Sequence, residues 1–152
     1  KTMFMTHLAS SVLLQGKNVW YITLEMAEER IAERIDANLL NVGMSDLEEL
    51  PYTMYETKIN KLQSKTTGTL IIKEYPTATA HTGHFKNLIS ELALKKSFKP
   101  DIVFDDYIQL ISCNGKEEQR RLQIEKLVND YKWLAKETDA AIDNYAMGQR
   151  NK

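Results

Sequence analysis

One cysteine in 152 residues, Cys113, excludes an internal disulfide framework and fits a reducing compartment, so a cytoplasmic protein is expected. No apolar run approaches the roughly 20 residues that a membrane-spanning helix needs, and no signal peptide is recognisable, so no membrane partner is expected. Charge of one sign is also missing: 20 Lys and Arg face 21 Asp and Glu, for a net charge of −1. That balance argues against a polybasic binder held to nucleic acid by bulk charge, but not against a protein that grips phosphates with a few loops. No internal repeat, low-complexity tract or clear linker interrupts the chain. An initiator methionine is absent as well; the chain opens at Lys1 on residues that read as the middle of something, so a fragment is expected. What remains is 43% hydrophobic and 27% charged, an ordinary globular composition. The length fits one domain that buries about 70% of its unfolded surface.

The chain is organised around residues 99–111, Lys-Pro-Asp-Ile-Val-Phe-Asp-Asp-Tyr-Ile-Gln-Leu-Ile. Pro100 pushes the residue before it toward extended geometry. Ile102, Val103 and Phe104 suit a strand buried on both faces. Asp105 and Asp106 then arrive where such a strand runs out, which is where ligands sit in open α/β sheets. A carboxylate there is well placed to hold a water-coordinated Mg²⁺ beside a phosphate. The alternative is that the pair begins a solvated turn.

Elsewhere helix and strand patterns alternate. Met5, Leu8, Ala9, Val12 and Leu13 mark one face of a helix over 2–15, and Gly16 is a natural stop. Residues 18–24 read as a strand, followed by a helix opening at Glu25 and running to about Leu40. Two short helical pieces are expected over 46–50 and 52–63, then a strand at 70–72. Helices are expected over 84–96 and 117–138, the latter through Leu122, Val128 and Tyr131, and a last strand within 140–147. Trp20 and Trp133 read as core. This rhythm implies βαβ crossovers and a parallel sheet with helices on both sides.

Three pieces can carry chemistry. Lys1-Thr2 before an amphipathic helix can be the end of a Gly-Lys-Ser/Thr phosphate loop, or merely an arbitrary dipeptide. Glu25 stands at the end of its strand, at the same sheet edge as Asp106. It reads as a group that orients or deprotonates water, or as a cap on the following helix. His81 and His84 have no cysteine cluster nearby and fit a polar turn better than a metal site. Cys113 reads as a loop thiol.

Taken together, Lys1-Thr2, Tyr21-Ile-Thr-Leu-Glu-Met26, Asp106-Tyr-Ile-Gln-Leu110 and Leu134-Ala-Lys-Glu137 make the chain recognisable. It resembles the RecA-type motor domain of DnaB-like replicative helicases, with the members from T-even phages nearest. The resemblance implies an α/β fold, a RecA-like P-loop NTPase with its parallel sheet sandwiched between helices, spanning residues 1–152 as a single ATPase domain. It implies ATP and Mg²⁺ as cofactors, and DNA unwinding at the replication fork as the function. Single-stranded DNA, a homo-hexamer, a primase and a helicase loader are the implied partners. Lys1 and Thr2 match the phosphate-loop lysine and the magnesium hydroxyl. Glu25 matches the catalytic glutamate, and Asp106 the acid that holds Mg²⁺ through water. DNA-contacting loops fall at 112–121 and 148–152, where Lys116, Arg120, Arg121, Arg150 and Lys152 are candidates, although helical surface charge also accounts for Arg120 and Arg121.

The chain also departs from the pattern. The position before Asp106 is usually apolar but holds Asp105, expected to repel Asp106 if both are buried and ionised. Asp143 stands at a core position, and Met147 aligns with the glutamine that senses the nucleotide, with Gln149 two residues later as the substitute. The glycine-rich loop and the intersubunit arginine finger fall outside the chain. A catalytically inert or truncated module that only binds, and a recombinase-type DNA-dependent ATPase, are therefore the alternatives.

Overall fold

The structure, a computed structural model, describes residues 2–75, 98–106 and 139–144, together with 122, 125, 128, 129, 131–133, 135 and 136. The chain begins with helix α1 (Thr2–Leu14), which buries Met5, Ala9 and Leu13 at four-residue steps. Gly16 ends it in the left-handed region (φ +77°), donating its N–H to the Leu13 carbonyl at 2.9 Å. Strand β1 (Val19–Thr23) follows, with all five residues buried, as expected of a strand covered on both faces. Helices α2 (Glu28–Leu40), α3 (Met44–Glu48) and α4 (Tyr52–Gln63) lead to strand β2 (Leu70–Glu74), outermost among the described strands. Strands β3 (Ile102–Asp106) and β4 (Ala141–Asn144) complete the described sheet. The order is β2-β1-β3-β4 and every pairing is parallel.

Strand alternation divides the core in two. On one face Val19, Tyr21 and Phe104 meet Met5, Ala9 and Leu13 of α1 and Ile31 and Ile35 of α2. On the other, Trp20, Ile22, Val103 and Ala140 gather around Phe98 and Tyr131. All described residues between 122 and 136 are helical, in line with the expected long helix. Helices therefore cover both faces.

At the rim where the strands begin, Asn18 ties three of them together. Its N–H donates to Asp101 Oδ2 at 2.8 Å, its side-chain amide donates to the Lys99 carbonyl at 3.0 Å, and its Oδ1 accepts the Thr69 N–H at 3.1 Å. Gly68 passes so close to α1 that a Cβ there would lie 2.6 Å from the Lys17 carbonyl and 2.8 Å from that of Leu13, so no side chain fits.

Several expectations need correction. The helix after β1 starts at Glu28, not Glu25, with Ala27 (φ −59°, ψ 147°) as its N-cap; residues 24–26 form a bend. Asp105 and Asp106 do not begin a solvated turn: they are the last two residues of β3, and both are buried. Trp133 is 43% exposed rather than core, and Leu122 and Val128 are exposed too. The expected helix over 84–96 and the histidines at 81 and 84 lie outside the described residues.

Candidate functional site

The site is assembled at the rim where the strands end. Helix α1 finishes beside the start of β1, and its 13 residues rise about 20 Å. A five-residue strand spans about 16 Å, so α1 crosses the depth of the sheet and places Thr2, its first residue, at the opposite rim. β3 ends at that rim with Asp106, and β1 pairs with it in the register Thr23↔Asp106. Glu25 leaves β1 two residues beyond Thr23, at the same rim, and is exposed.

The bend that carries Glu25 has a local cause. The Thr23 hydroxyl donates to the Met26 carbonyl at 2.9 Å and accepts the Met26 N–H at 3.1 Å. A side chain that satisfies nearby backbone in this way competes with helix formation, which is why α2 starts late. Leu24 is buried on one face of the sheet and Met26 packs against the core of the other, so Glu25 is the residue between them that is turned out. Glu25 does not cap α2, whose N-cap has no side-chain bond.

The adjacent carboxylates of β3 part company because successive side chains on a strand point to opposite faces. Asp106 lies on the α1 side, where its Oδ2 accepts the Tyr21 hydroxyl at 2.9 Å. Asp105 lies on the other side, fully buried, where its Oδ2 accepts the Tyr131 hydroxyl. Its Oδ1 has no hydrogen-bond partner among the described residues. Burial raises the Asp105 carboxyl, the Tyr131 bond draws it down and the Asp106 charge raises it, for a net value of about 7. Burial first, and Asp105 second, also drive the Tyr131 hydroxyl well above its ordinary value. The expected conflict between two buried charges is thus relieved by facing apart and by leaving Asp105 partly protonated near pH 7.

No group of three or more His, Cys, Asp or Glu that could cage a metal exists among the described residues. Mg²⁺ does not need one, because it keeps several waters and is bound through one or two carboxylates plus substrate phosphates. Asp106, 6% exposed at a strand end, and the Thr2 hydroxyl at a helix start have the hard oxygen chemistry for that mode.

Lys1, Lys116, Arg120, Arg121, Gln149, Arg150 and Lys152 lie outside the described residues, as do Cys113 and Met147. β4 aligns Asp143 with Phe104 in backbone register. Sequence patterns alone assign no role to Tyr21, Thr23 or Tyr131. A tyrosine in a fully buried strand requires a hydroxyl partner, and two buried carboxylates nearby require donors; that mutual need is the signal the sequence offers.

A family model for the DnaB-like helicase C-terminal domain matches residues 1–150. The DnaB-like replicative helicase of Enterobacteria phage T4 is 38% identical over 148 residues, covering 93% of this chain and 31% of that protein. A probable plasmid replicative DNA helicase of Chlamydia psittaci is 31% identical over 141 residues, covering 90% of this chain and 30% of its own length. The chain thus spans about a third of the length of these curated relatives. Among solved structures, an ATPase domain superposes with a TM-score of 0.67 at 17% identity, covering 95% of this chain and 51% of that one. A DnaB-like replicative helicase, described with its interactions with primase, gives 0.66 at 16% identity, covering 93% and 34%. These likenesses establish the fold alone, a RecA-like parallel sheet between helices.

Proposed function

The chain belongs to the DnaB-like helicase C-terminal domain family, and from that premise we propose that residues 1–152 are the single motor domain of a ring-shaped replicative helicase that couples ATP hydrolysis to unwinding of duplex DNA. The observation that carries the reading is the meeting of Glu25, Asp106 and the start of α1 at one rim of a parallel sheet. Ligands occupy that rim in open α/β sheets.

In this reading Glu25 accepts a proton from the water that attacks the γ-phosphate. Lys1 contacts the β- and γ-phosphates at the positively polarised start of α1. Thr2 and Asp106 hold magnesium, Asp106 through water; the ion supplies neutralisation of the charge that develops on the phosphate oxygens. Lys116, Arg120, Arg121, Arg150 and Lys152 contact the phosphates of single-stranded DNA, and Gln149 senses the nucleotide. The working assembly is a homo-hexamer in the cytoplasm of the host cell, with a primase and a loader as partners. No helix among the described residues is long and apolar enough to cross a membrane.

One ground for an inert module weakens, because Asp105 turns to the opposite face from Asp106 and has Tyr131 as a donor. The test is ATP hydrolysis with added single-stranded DNA, by this chain and by a version extended upstream with a glycine-rich phosphate loop. DNA-stimulated hydrolysis and ring-sized particles in mass photometry are expected of the extended protein. No hydrolysis favours the inert module, and open filaments on DNA favour a recombinase.

Thr23 offers a finer check on the same machinery. Thr23→Val keeps the shape but removes both hydrogen bonds to the Met26 backbone that frames Glu25, together roughly 1.4 kcal/mol net. We expect kcat to fall about tenfold if that loss is expressed in the transition state, with nucleotide binding unchanged. Thr23→Ser, which retains the hydroxyl, should stay near wild type in single-turnover hydrolysis.

A further inference from the structure

Tyr21 lies in the middle of β1, fully buried among Met5, Ala9, Ile31, Ile35 and Phe104. Nothing in that apolar setting calls for a hydroxyl; a phenylalanine would fill the same space, and a hydroxyl buried without a partner costs about 1–3 kcal/mol. The register explains its presence. Tyr21 stands opposite Phe104, against which its ring stacks with centroids 6.0 Å apart and planes at 30°. Asp106 is the next residue along β3 on the same face, so the phenol extends past Phe104 to its Oδ2, 2.9 Å away.

We propose that Tyr21 is a positioning residue for Asp106, its hydroxyl fixing the carboxylate so that Oδ1 is the oxygen offered to a magnesium-bound water. The inference rests on the reading of Asp106 given above. An aspartate side chain has a broad, roughly two-fold terminal torsion, and a carboxylate at a strand end would sample it. A donor on a ring locked between helix and strand removes that freedom. Groups that orient metal-holding carboxylates typically contribute 10- to 100-fold to metal affinity.

The test is Tyr21→Phe in the full-length protein, with Mn²⁺ binding in the presence of ADP followed by electron paramagnetic resonance. Asp106→Asn serves as reference. Tyr21→Phe is expected to weaken Mn²⁺ about tenfold while metal-free nucleotide binding stays near wild type and the melting temperature falls only by the few degrees that one lost buried hydrogen bond entails. Unchanged Mn²⁺ affinity in Tyr21→Phe, with a loss in Asp106→Asn, overturns the role of Tyr21. A general decline, in which metal-free nucleotide binding falls in proportion to Mn²⁺ affinity, marks mere packing and also overturns it. If Asp106→Asn too leaves Mn²⁺ affinity unaltered, it is the reading of Asp106 that fails.

Discussion

Glu25→Gln should lower ATP turnover by roughly 10²–10⁴-fold, the usual contribution of a positioned general base, while nucleotide affinity stays within a few-fold of wild type. Glutamine keeps the size and the hydrogen-bonding reach of the side chain but cannot take a proton from water at neutral pH. The loss corresponds to about 3–5 kcal/mol of transition-state stabilisation. Stability should barely change, because Glu25 is exposed in a bend and caps no helix; surface substitutions of this kind stay within about 0.5 kcal/mol. The neighbouring acids are poor substitutes. Glu28 accepts the Glu74 N–H at 2.9 Å and the Lys73 ammonium at 3.2 Å, and the backbone bond holds its carboxyl below the usual range. It ties α2 to the end of β2. Glu29 lies in the first turn of α2, beside Glu28 in the cleft formed with Leu70 and Ile72 of β2. Turnover of Glu25→Gln within tenfold of wild type, measured by rapid-quench hydrolysis with single-stranded DNA present, would remove Glu25 from the catalytic role.

The residues differ in how much of this the sequence makes legible. The burial of β1 and β3 can be read from runs of β-branched and aromatic residues, since a parallel strand covered on both faces has no polar side to show. The end of α1 can be read from Gly16, whose positive φ is local chemistry. Glu25 lies at the expected rim but in a bend rather than in a helix. Acidic residues suit a helix start in general, whereas the Thr23 hydroxyl that holds Met26 is a choice between local hydrogen bonds that composition does not rank. The split of Asp105 from Asp106 follows from period-two alternation as soon as the strand extends through both; what the sequence leaves open is strand length, not orientation. Trp133 illustrates the opposite failure: an apolar segment on a helix covers more than one face, and among the described residues Tyr131, bonded to Asp105, is buried while Trp133 is exposed. The Tyr21–Asp106 contact needs the register between strands 85 residues apart in sequence, which a single sequence does not contain.

Asp105→Asn should change how stability depends on pH. In the folded chain the Asp105 carboxyl is raised to about 7, chiefly by burial, from an ordinary value of 3.8. Between those two values the folded state holds a proton that the unfolded chain has released, so stability falls as pH rises through this window and levels off above it. The contribution lost is at most about 4 kcal/mol, because above pH 7 folding must bury a carboxylate whose Oδ1 has no hydrogen-bond partner among the described residues. Asparagine keeps an oxygen for the Tyr131 hydroxyl and carries no charge. The variant should therefore resemble wild type only below about pH 4, already exceed it by roughly 1–2 kcal/mol at pH 5, and exceed it by up to about 4 kcal/mol at pH 8, seen as a higher urea midpoint with an unchanged slope. Tyr131→Phe should act in the other direction. Without the donor that draws the carboxyl down, Asp105 would titrate higher still, and stability would go on falling above pH 7. Urea titrations at pH 5, 6, 7 and 8 check both variants. If Asp105→Asn is destabilised equally at every pH, Asp105 is instead an ionised member of a favourable pair and its burial is no liability.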